Sequence, residues 1–309
     1  MGRIGERFRA LAARGEAALI PYLTAGDPDL GMTRVIVRAL EAGGADLLEI
    51  GVPFSDPMAD GPTLQRAFSR SLRNGTSLPL ILELVADIRK HSEIPIVLFG
   101  YYNPFFRYGT DRFAADARLA GADGVLCVDL PPEEAAELKY FTDREDLDLI
   151  FLLSPTSGPK RIREVAGLTR GFVYVVSVTG VTGARKQLPG AVPGFVGQVK
   201  ARTSLPVAVG FGISEPAQAA WVSSFADGVV VGSALADLME RQPDRETMPE
   251  RVESFVAGLK RAVTEARSSG HECVRGDGVR STRLGGAPAS GIAPKRQPAP
   301  GHGRVRTRG

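Results

Sequence analysis

The chain has 309 residues, of which 43% are hydrophobic and 24% are charged, as in soluble globular proteins large enough to bury a sizeable core. Its net charge of +3 arises in the last 39 residues, where eight Lys and Arg accompany two Asp and Glu, so the rest of the chain is mildly acidic. This distribution argues against a basic nucleic-acid-binding surface outside the C-terminal tail.

Membrane insertion, secretion and metal chemistry are also disfavoured by the sequence. No apolar run reaches the roughly 18 residues that a membrane span needs, and the N-terminus lacks a secretory signal, so we expect a cytoplasmic protein. The two cysteines and three histidines provide neither a disulfide framework nor an evident metal site. We therefore expect no metal and look for the chemistry among the acids.

Short apolar segments alternate with longer amphipathic ones along the chain. The candidate strands are 18–23, 47–52, 94–100, 124–130, 147–153, 171–178, 205–211 and 228–232. Each is a near-continuous apolar run, which is typical of a parallel strand covered on both faces. Eight strand–helix units predict an α/β fold, a (β/α)8 TIM barrel with an extra N-terminal helix. A doubly wound open sheet is the alternative.

Three similar segments join a helix end to a strand. They are EAGGADLLEIG, LAGADGVLCVD and FADGVVVGS, in which Asp46, Asp123 and Asp227 precede the strands. In a barrel these residues lie at the bottom, where we expect them to contribute to stability rather than to chemistry.

The C-terminal segment has a different composition from the rest. Residues 269–309 are rich in Gly, Pro and Arg and have no apolar periodicity, which predicts a disordered tail after a catalytic domain of residues 1–268. A nucleic-acid-binding arm is an alternative for this tail, but it has no aromatic residue to stack on bases, and we expect no nucleic-acid partner.

The loop after the second strand carries the candidate catalytic acids. Glu49 interrupts the apolar run LLEIGV and lies near its carboxyl end, where a barrel places its active site. A buried carboxylate is unfavourable unless a partner or a site accounts for it. Asp56 and Asp60 follow in a proline-rich loop, and the spacing leaves open which of them shares acid–base chemistry with Glu49.

The loops after the last strands indicate a phosphate site. Gly212 follows the seventh strand, and Gly232 and Ser233 follow the eighth, where backbone N–H groups and a helix N-terminus bind phosphate in many barrels. The long loop 177–195 after the sixth strand is expected to close over the substrate, and its Gly183 is a further candidate donor to the phosphate.

Seven segments, in order over roughly residues 3–265, resemble the tryptophan synthase alpha chain family. They are PYLTAGDP (21–28), LEIGVPFSDPMADGPTLQRA (48–67), GYYNPFFRYG (100–109), VDLPPEE (128–134), SVTGVTGAR (177–185), GFGIS (210–214) and VVVGSA (229–234). The resemblance implies a carbon–carbon lyase of tryptophan biosynthesis, which cleaves indole-3-glycerol phosphate by a retro-aldol reaction to indole and glyceraldehyde 3-phosphate.

The resemblance also implies roles for individual residues. Glu49 would be the general acid/base, and Asp60 would stabilise the indole N–H as positive charge develops there. Phosphate would be bound at Gly183, Gly212, Gly232 and Ser233. Tyr174 and Thr182 would lie beside the substrate and the closing loop, with Thr182 orienting Asp60.

An indole ring also needs an apolar slot. The residues that we expect to line it are Tyr22, Phe99, Leu126, Phe211 and Val231. Each of them is also compatible with the barrel core.

A partner is implied as well. Family members pair with a beta chain that carries pyridoxal phosphate, in an α2β2 tetramer, whereas no cofactor is expected in this chain. The contact would involve the 53–60 loop, with Pro53, Asp56 and Pro57, and the segment 103–106, with Asn103 and with Phe105 and Phe106 as exposed anchors. Burial of these two rings under the barrel helices is the alternative.

Two other functions remain open at this point. One is another phosphate-binding barrel enzyme, such as an isomerase or synthase acting on a ribulose-phosphate-like substrate. The other is a non-catalytic role, either as an activator of a beta chain or as a nucleic-acid adaptor through the tail. Indole release distinguishes the lyase from both.

Overall fold

The computed structural model describes residues 2–176, 190–210, 212–242 and 244–275, with side chains described up to residue 267. The strands are β1 (Ala18–Thr24), β2 (Leu48–Gly51), β3 (Ile96–Gly100), β4 (Gly124–Cys127), β5 (Asp148–Ile150), β6 (Leu152–Leu153), β7 (Val173–Val176), β8 (Val207–Gly210) and β9 (Gly228–Val231). The helices are α1 (Arg3–Ala13), α2 (Leu30–Ala42), α3 (Pro62–Arg73), α4 (Leu78–Arg89), α5 (Tyr102–Tyr108), α6 (Thr110–Ala120), α7 (Ala136–Arg144), α8 (Pro159–Leu168), α9 (Val192–Lys200), α10 (Pro216–Ser223), α11 (Ser233–Glu240) and α12 (Met248–Arg275).

The strands form one parallel sheet in the order β5-β4-β3-β2-β1-β9-β8-β7-β6, which confirms the TIM barrel and excludes the open doubly wound sheet. The expected single strand 147–153 is divided at Phe151. Its first part pairs with β4 and its second part with β7, and the carbonyl of Phe151 accepts a hydrogen bond from the N–H of Tyr174 at 3.2 Å. Both parts therefore occupy one position of an eight-position barrel.

Alternation along the strands separates two hydrophobic clusters. Leu47, the residue before β2, packs inside the barrel, whereas Leu48 and Ile50 of β2 pack between the sheet and the helices. Because both faces of each strand are buried, the strands read as continuous apolar runs rather than as period-2 patterns.

Helix α1 covers the bottom of the barrel. Its side chains Ile4, Phe8 and Leu11 are buried in the inner cluster, and the ring of Phe8 lies 5.6 Å from that of Phe172. This extra helix closes the amino end of the barrel, so that the opposite end is left to form a site.

The three aspartates that precede strands bind the neighbouring strands at the barrel bottom. Asp46 accepts the N–H of Leu19 at 2.9 Å, Asp123 accepts that of Ile96 at 2.9 Å, and Asp227 accepts that of Val207 at 3.0 Å. Each carboxylate therefore ties its strand to an adjacent one, and this accounts for the internal repeat in structural terms.

The last described helix extends past the domain boundary expected at residue 268. Helix α12 continues to Arg275, and residues 276–309 of the expected tail lie outside the described residues. No helix in the described part of the chain combines the length and apolarity needed to cross a membrane.

Candidate active site

Glu49 lies inside the barrel near the carboxyl end of β2. It pairs in register with Tyr22 of β1 and with Val97 of β3. Its side chain is 1% exposed, and among the described residues neither carboxyl oxygen has a hydrogen-bond partner. Burial therefore raises the pKa of Glu49 to about 8, because the charged form loses its hydration without gaining a donor.

Asp60 approaches the same cleft from the loop between β2 and α3. Its side chain is buried, and its Oδ2 accepts a hydrogen bond from the hydroxyl of Tyr101 at 2.6 Å. The hydroxyl of Tyr101 also accepts the N–H of Ala59 at 3.0 Å, and the side chain of Gln65 donates to the carbonyl of Asp60 at 2.8 Å. Burial raises the pKa of Asp60 to about 6, against the lowering effect of the bond from Tyr101.

The two acids therefore differ in protonation at neutral pH. With pKa values of about 8 and about 6, Glu49 is mainly protonated and Asp60 mainly ionised. One cleft thus presents a proton donor and a carboxylate together, an arrangement suited to acid–base chemistry on a single substrate.

Three aromatic side chains surround these acids. The rings of Tyr22 and Phe99 meet edge to face with centroids 5.1 Å apart. Tyr174 is also buried; burial raises its pKa well above the usual value, and the nearby charges of Glu49 and Asp60 raise it further. The walls of the cleft are thus apolar and aromatic, while its polar groups are few.

Glycines leave the room that these tyrosines occupy. A Cβ atom at Gly51 would lie 2.0 Å from the hydroxyl of Tyr22, and a Cβ atom at Gly210 would lie 2.0 Å from the hydroxyl of Tyr174. Each tyrosine therefore fits into the inward position that a neighbouring strand leaves empty.

The cleft has an empty volume of about 370 Å³, counted out to open solvent. Its lining residues are Tyr22, Glu49, Asp60, Leu64, Phe99, Tyr174, Gly212, Val230, Gly232 and Ser233. Of the described residues, no group of three His, Cys, Asp or Glu side chains is arranged to hold a metal ion.

The side of the cleft formed by Gly212, Gly232 and Ser233 can bind an anion. Ser233 is the first residue of α11, whose leading N–H groups have no partner within the helix. Gly212 has a φ of +83°, a conformation that glycine adopts readily and that brings backbone close to a ligand. A phosphate seated here would meet backbone donors and the positive end of a helix dipole.

The comparisons with known proteins agree on one family. The model of the tryptophan synthase alpha chain family matches residues 8–264. The tryptophan synthase alpha chain of Geotalea uraniireducens is 56% identical over 263 residues, which cover 85% of this chain and 98% of that protein. That of Geobacter sulfurreducens is 54% identical, with 85% and 99% covered.

Solved structures are similar as well. The structure of Mycobacterium tuberculosis tryptophan synthase matches with a TM-score of 0.79 at 40% identity, covering 85% of this chain and 98% of that one. The tryptophan synthase subunit alpha of Legionella pneumophila matches with a TM-score of 0.76 at 37% identity, covering 86% and 99%.

The chain belongs to the tryptophan synthase alpha chain family. It is accordingly a lyase subunit of tryptophan biosynthesis, and the cleft at the carboxyl end of the barrel is its candidate active site.

Two of the residues expected to line the slot of this alpha-chain cleft face other surroundings. Leu126 is fully buried inside the barrel and is absent from the cleft lining. Val231 packs between the sheet and the helices, whereas Val230, its neighbour along β9, lines the cleft. Since side chains alternate between the two faces of a strand, a shift of one residue moves the assignment to the opposite face.

Three expected substrate contacts lie outside the described residues. They are Gly183, Thr182 and Phe211. The same holds for residues 177–189, most of the loop that is expected to close over the cleft, so these expectations stay predictions.

The residues that the family resemblance assigns to the partner contact differ in exposure. Pro53 is buried, Pro57 is half-buried, and Asp56 and Asn103 are exposed at the mouth of the barrel. Asp56 is also absent from the cleft lining, so Asp60 is the acid that the structure brings together with Glu49.

The expectation that Phe105 is exposed is wrong. Its side chain has 0% exposure and stacks on Phe113 with centroids 4.2 Å apart, because α5 turns this face toward α6. Phe106, the next residue, is 56% exposed. An aromatic contact from this segment to a partner would therefore come from Phe106.

Leu64 and Val230 of the alpha-chain cleft, and Tyr101, which donates to Asp60, were not predicted from the sequence. Tyr101 directly follows β3, and this position after a barrel strand was the available signal. Leu64 lies on the first turn of α3, and Val230 was obscured by the uniform valines of β9, which give no indication of the inward face.

Proposed function

We propose that this chain cleaves indole-3-glycerol phosphate to indole and glyceraldehyde 3-phosphate, with Glu49 and Asp60 as its catalytic residues. The observation that supports this most directly is the pair of buried carboxyl groups whose pKa values of about 8 and about 6 give them opposite protonation states. Family membership supports the reaction, and the aromatic cleft with an anion site at one side suits an indole joined to a phosphate.

Glu49 is proposed to act twice in one turnover. Its protonated carboxyl gives a proton to the ring carbon that bears the side chain, which makes the ring an electron sink. The resulting carboxylate then accepts the proton of the adjacent side-chain hydroxyl as the carbon–carbon bond breaks and its electrons return to the ring. Indole and an aldehyde leave, and Glu49 is protonated again.

Asp60 is proposed to accept a hydrogen bond from the indole N–H. Positive charge develops at this nitrogen when the ring carbon is protonated, and an ionised carboxylate stabilises it. The hydrogen bond from Tyr101 fixes the carboxylate before the substrate arrives, so little reorganisation is needed during the reaction.

Phosphate binding is proposed at Gly212, Gly232 and Ser233, with Gly183 as a further donor. Tyr22, Phe99 and Tyr174 then flank the indole, while the glycerol chain extends toward α11. The proposed steps use only these side chains and backbone groups, so we assign no cofactor to this chain. Pyridoxal phosphate is expected in a partner beta chain, within an α2β2 tetramer.

Indole release from indole-3-glycerol phosphate tests the proposal. The full chain is compared with Glu49→Gln and Asp60→Asn, with and without a beta chain from a relative. Asp56→Asn is the matched control, since it removes an exposed acid of the same loop. We expect about 10²- to 10⁴-fold loss of kcat in the first two variants. The control should have near wild-type activity in the assay without a beta chain, since Asp56 belongs to the loop assigned to the partner contact.

The absence of indole release from the wild-type chain, even with the beta chain present, would contradict the lyase assignment. Release that survives in Glu49→Gln would contradict the role of that residue alone.

A further inference from the structure

Arg70 joins three segments that surround the active site. Its Nε and Nη2 donate to the two carboxylate oxygens of Asp27 at 2.8 and 2.9 Å, and its Nη1 donates to Oε1 of Glu240 at 2.8 Å. Asp27, which is 3% exposed, follows β1; Arg70 lies on α3; and Glu240 ends α11. One guanidinium thus links the loop after β1 to two helices.

Glu240 is in an unfavourable position for its own helix. A negative charge in the last turn of a helix opposes the dipole, so local propensity does not account for it. Arg66 donates to the same carboxylate through Nε at 2.7 Å and Nη2 at 2.6 Å, which adds a second ion pair from α3. The presence of Glu240 is therefore explained by a tertiary contact, in which its carboxylate attaches the carboxyl end of α11 to α3.

The N-terminal ends of these two helices lie at the proposed active site. Helix α3 begins two residues after Asp60, and α11 begins at Ser233, in the proposed phosphate site. At 1.5 Å per residue, Arg70 lies about 12 Å along α3 and Glu240 about 10 Å along α11. Because a helix transmits its orientation along its length, fixing the two far ends fixes the two near ends relative to each other.

We propose that Arg70 is a positioning residue, which sets Asp60 and the phosphate-binding end of α11 at the separation that the substrate requires. The proposal rests on the phosphate site proposed above. Lysine cannot replace arginine here, because a single ammonium group cannot form a planar fork with Asp27 and still reach Glu240.

The test compares Arg70→Lys with Arg89→Lys in the full chain. Arg89 is a matched control at the opposite end of the barrel, where its guanidinium donates to Asp123 and to the carbonyls of Ser92, Ile94 and Gly121. The measurements are kcat and KM for indole-3-glycerol phosphate, the inhibition constant of inorganic phosphate, and the melting temperature. Glu240→Gln provides a milder second variant if Arg70→Lys fails to fold.

We expect Arg70→Lys to raise KM and the inhibition constant of phosphate about tenfold and to lower kcat, whereas Arg89→Lys lowers only the melting temperature. Glu240→Gln should raise the phosphate constant in the same direction, and the double variant should show less than the product of the two effects, because they share one bond. Unchanged constants in Arg70→Lys, or equal changes in both lysine variants, would overturn the positioning role alone. A wild-type chain that releases indole but is not inhibited by phosphate would overturn the phosphate site and this inference with it.

Discussion

The hydroxyl of Tyr101 donates to Oδ2 of Asp60 over 2.6 Å and accepts the N–H of Ala59 over 3.0 Å. One side chain, at the end of β3, therefore fixes both a proposed catalytic carboxylate and the loop that carries it. Because the donor stabilises the charged form, it lowers the pKa of Asp60, whereas burial raises it more strongly, to about 6.

Tyr101→Phe should move the pH dependence of catalysis. Without the donor, the pKa of Asp60 rises, by about one to two pH units if the bond contributes the 1.5–3 kcal/mol typical of a hydrogen bond to a charged group. Asp60 must be ionised to accept the indole N–H, so activity falls as pH drops through this pKa. As the pH is lowered, the variant should therefore begin to lose activity at a higher pH than wild type does. The measurement is kcat/KM for indole release across the pH range.

Tyr108→Phe is the control for this experiment. The hydroxyl of Tyr108 donates a hydrogen bond to Asp116 with a length of 2.7 Å, and this pair is not part of the cleft. If the acidic side of the kcat/KM profile of Tyr101→Phe lies at the same pH as in wild type, the hydrogen bond does not control the pKa of Asp60.

Glu49→Gln should change the pH dependence of stability as well as lower kcat. The pKa of Glu49 rises from 4.5 to about 8 on folding, so the folded state retains a proton that the unfolded state releases in between. The contribution of Glu49 to stability is therefore full below about pH 4.5 and declines as pH rises toward about 8. The variant has no such proton, so its melting temperature should increase relative to wild type over this range. If the melting temperatures of the variant and of wild type instead differ by the same amount at every pH in this range, Glu49 is not an ionisable residue without a partner.

Gly51→Ala tests the fit between β2 and Tyr22. The added Cβ would lie 2.0 Å from the hydroxyl and 2.4 Å from Cζ of Tyr22, so the ring must move. We expect a loss of about 1–3 kcal/mol in the free energy of unfolding and a higher KM. Adding Tyr22→Leu, which removes the clashing atoms, should restore part of the stability. Gly167→Ala, where nothing lies within 4 Å, is the control.

The barrel and Glu49 could be predicted from the sequence because each left a strong local signal, whereas the choice of Asp60 over Asp56 rested on the family resemblance. Continuous apolar strands repeat along the chain, and Glu49 is a charge inside one of them. The face of β9 could not be assigned in the same way, because Val230 and Val231 are chemically identical and only the pairing with β1 distinguishes their directions. Likewise, a run of aromatics around Phe105 and Phe106 does not indicate which ring α6 will cover.

Asp123→Asn should lower stability and leave catalysis unchanged. The carboxylate of Asp123 accepts from the N–H of Ile96 and from the side chains of Arg3 and Arg89, at 2.9 to 3.0 Å. An amide removes the charge that balances a largely buried guanidinium, and we expect a loss of about 2–3 kcal/mol in the free energy of unfolding. Urea unfolding measures this, and kcat/KM should match wild type, since the site is at the barrel bottom. A marked loss of kcat/KM in the folded variant would contradict the separation of the two ends.

Phe106→Ala and Phe105→Ala should have different effects, although the residues are adjacent. Phe106 is 56% exposed on α5 at the mouth of the barrel, so its removal should weaken binding of a beta chain about tenfold without affecting folding. Phe105 is fully buried against Phe113, so its removal should cost about 3–5 kcal/mol of stability. Leu119→Ala is the control, because Leu119 is 87% exposed at the end of α6 that faces the barrel bottom. Calorimetric titration with the beta chain measures the affinities, and equal affinities for wild type and Phe106→Ala would place the contact elsewhere on the rim.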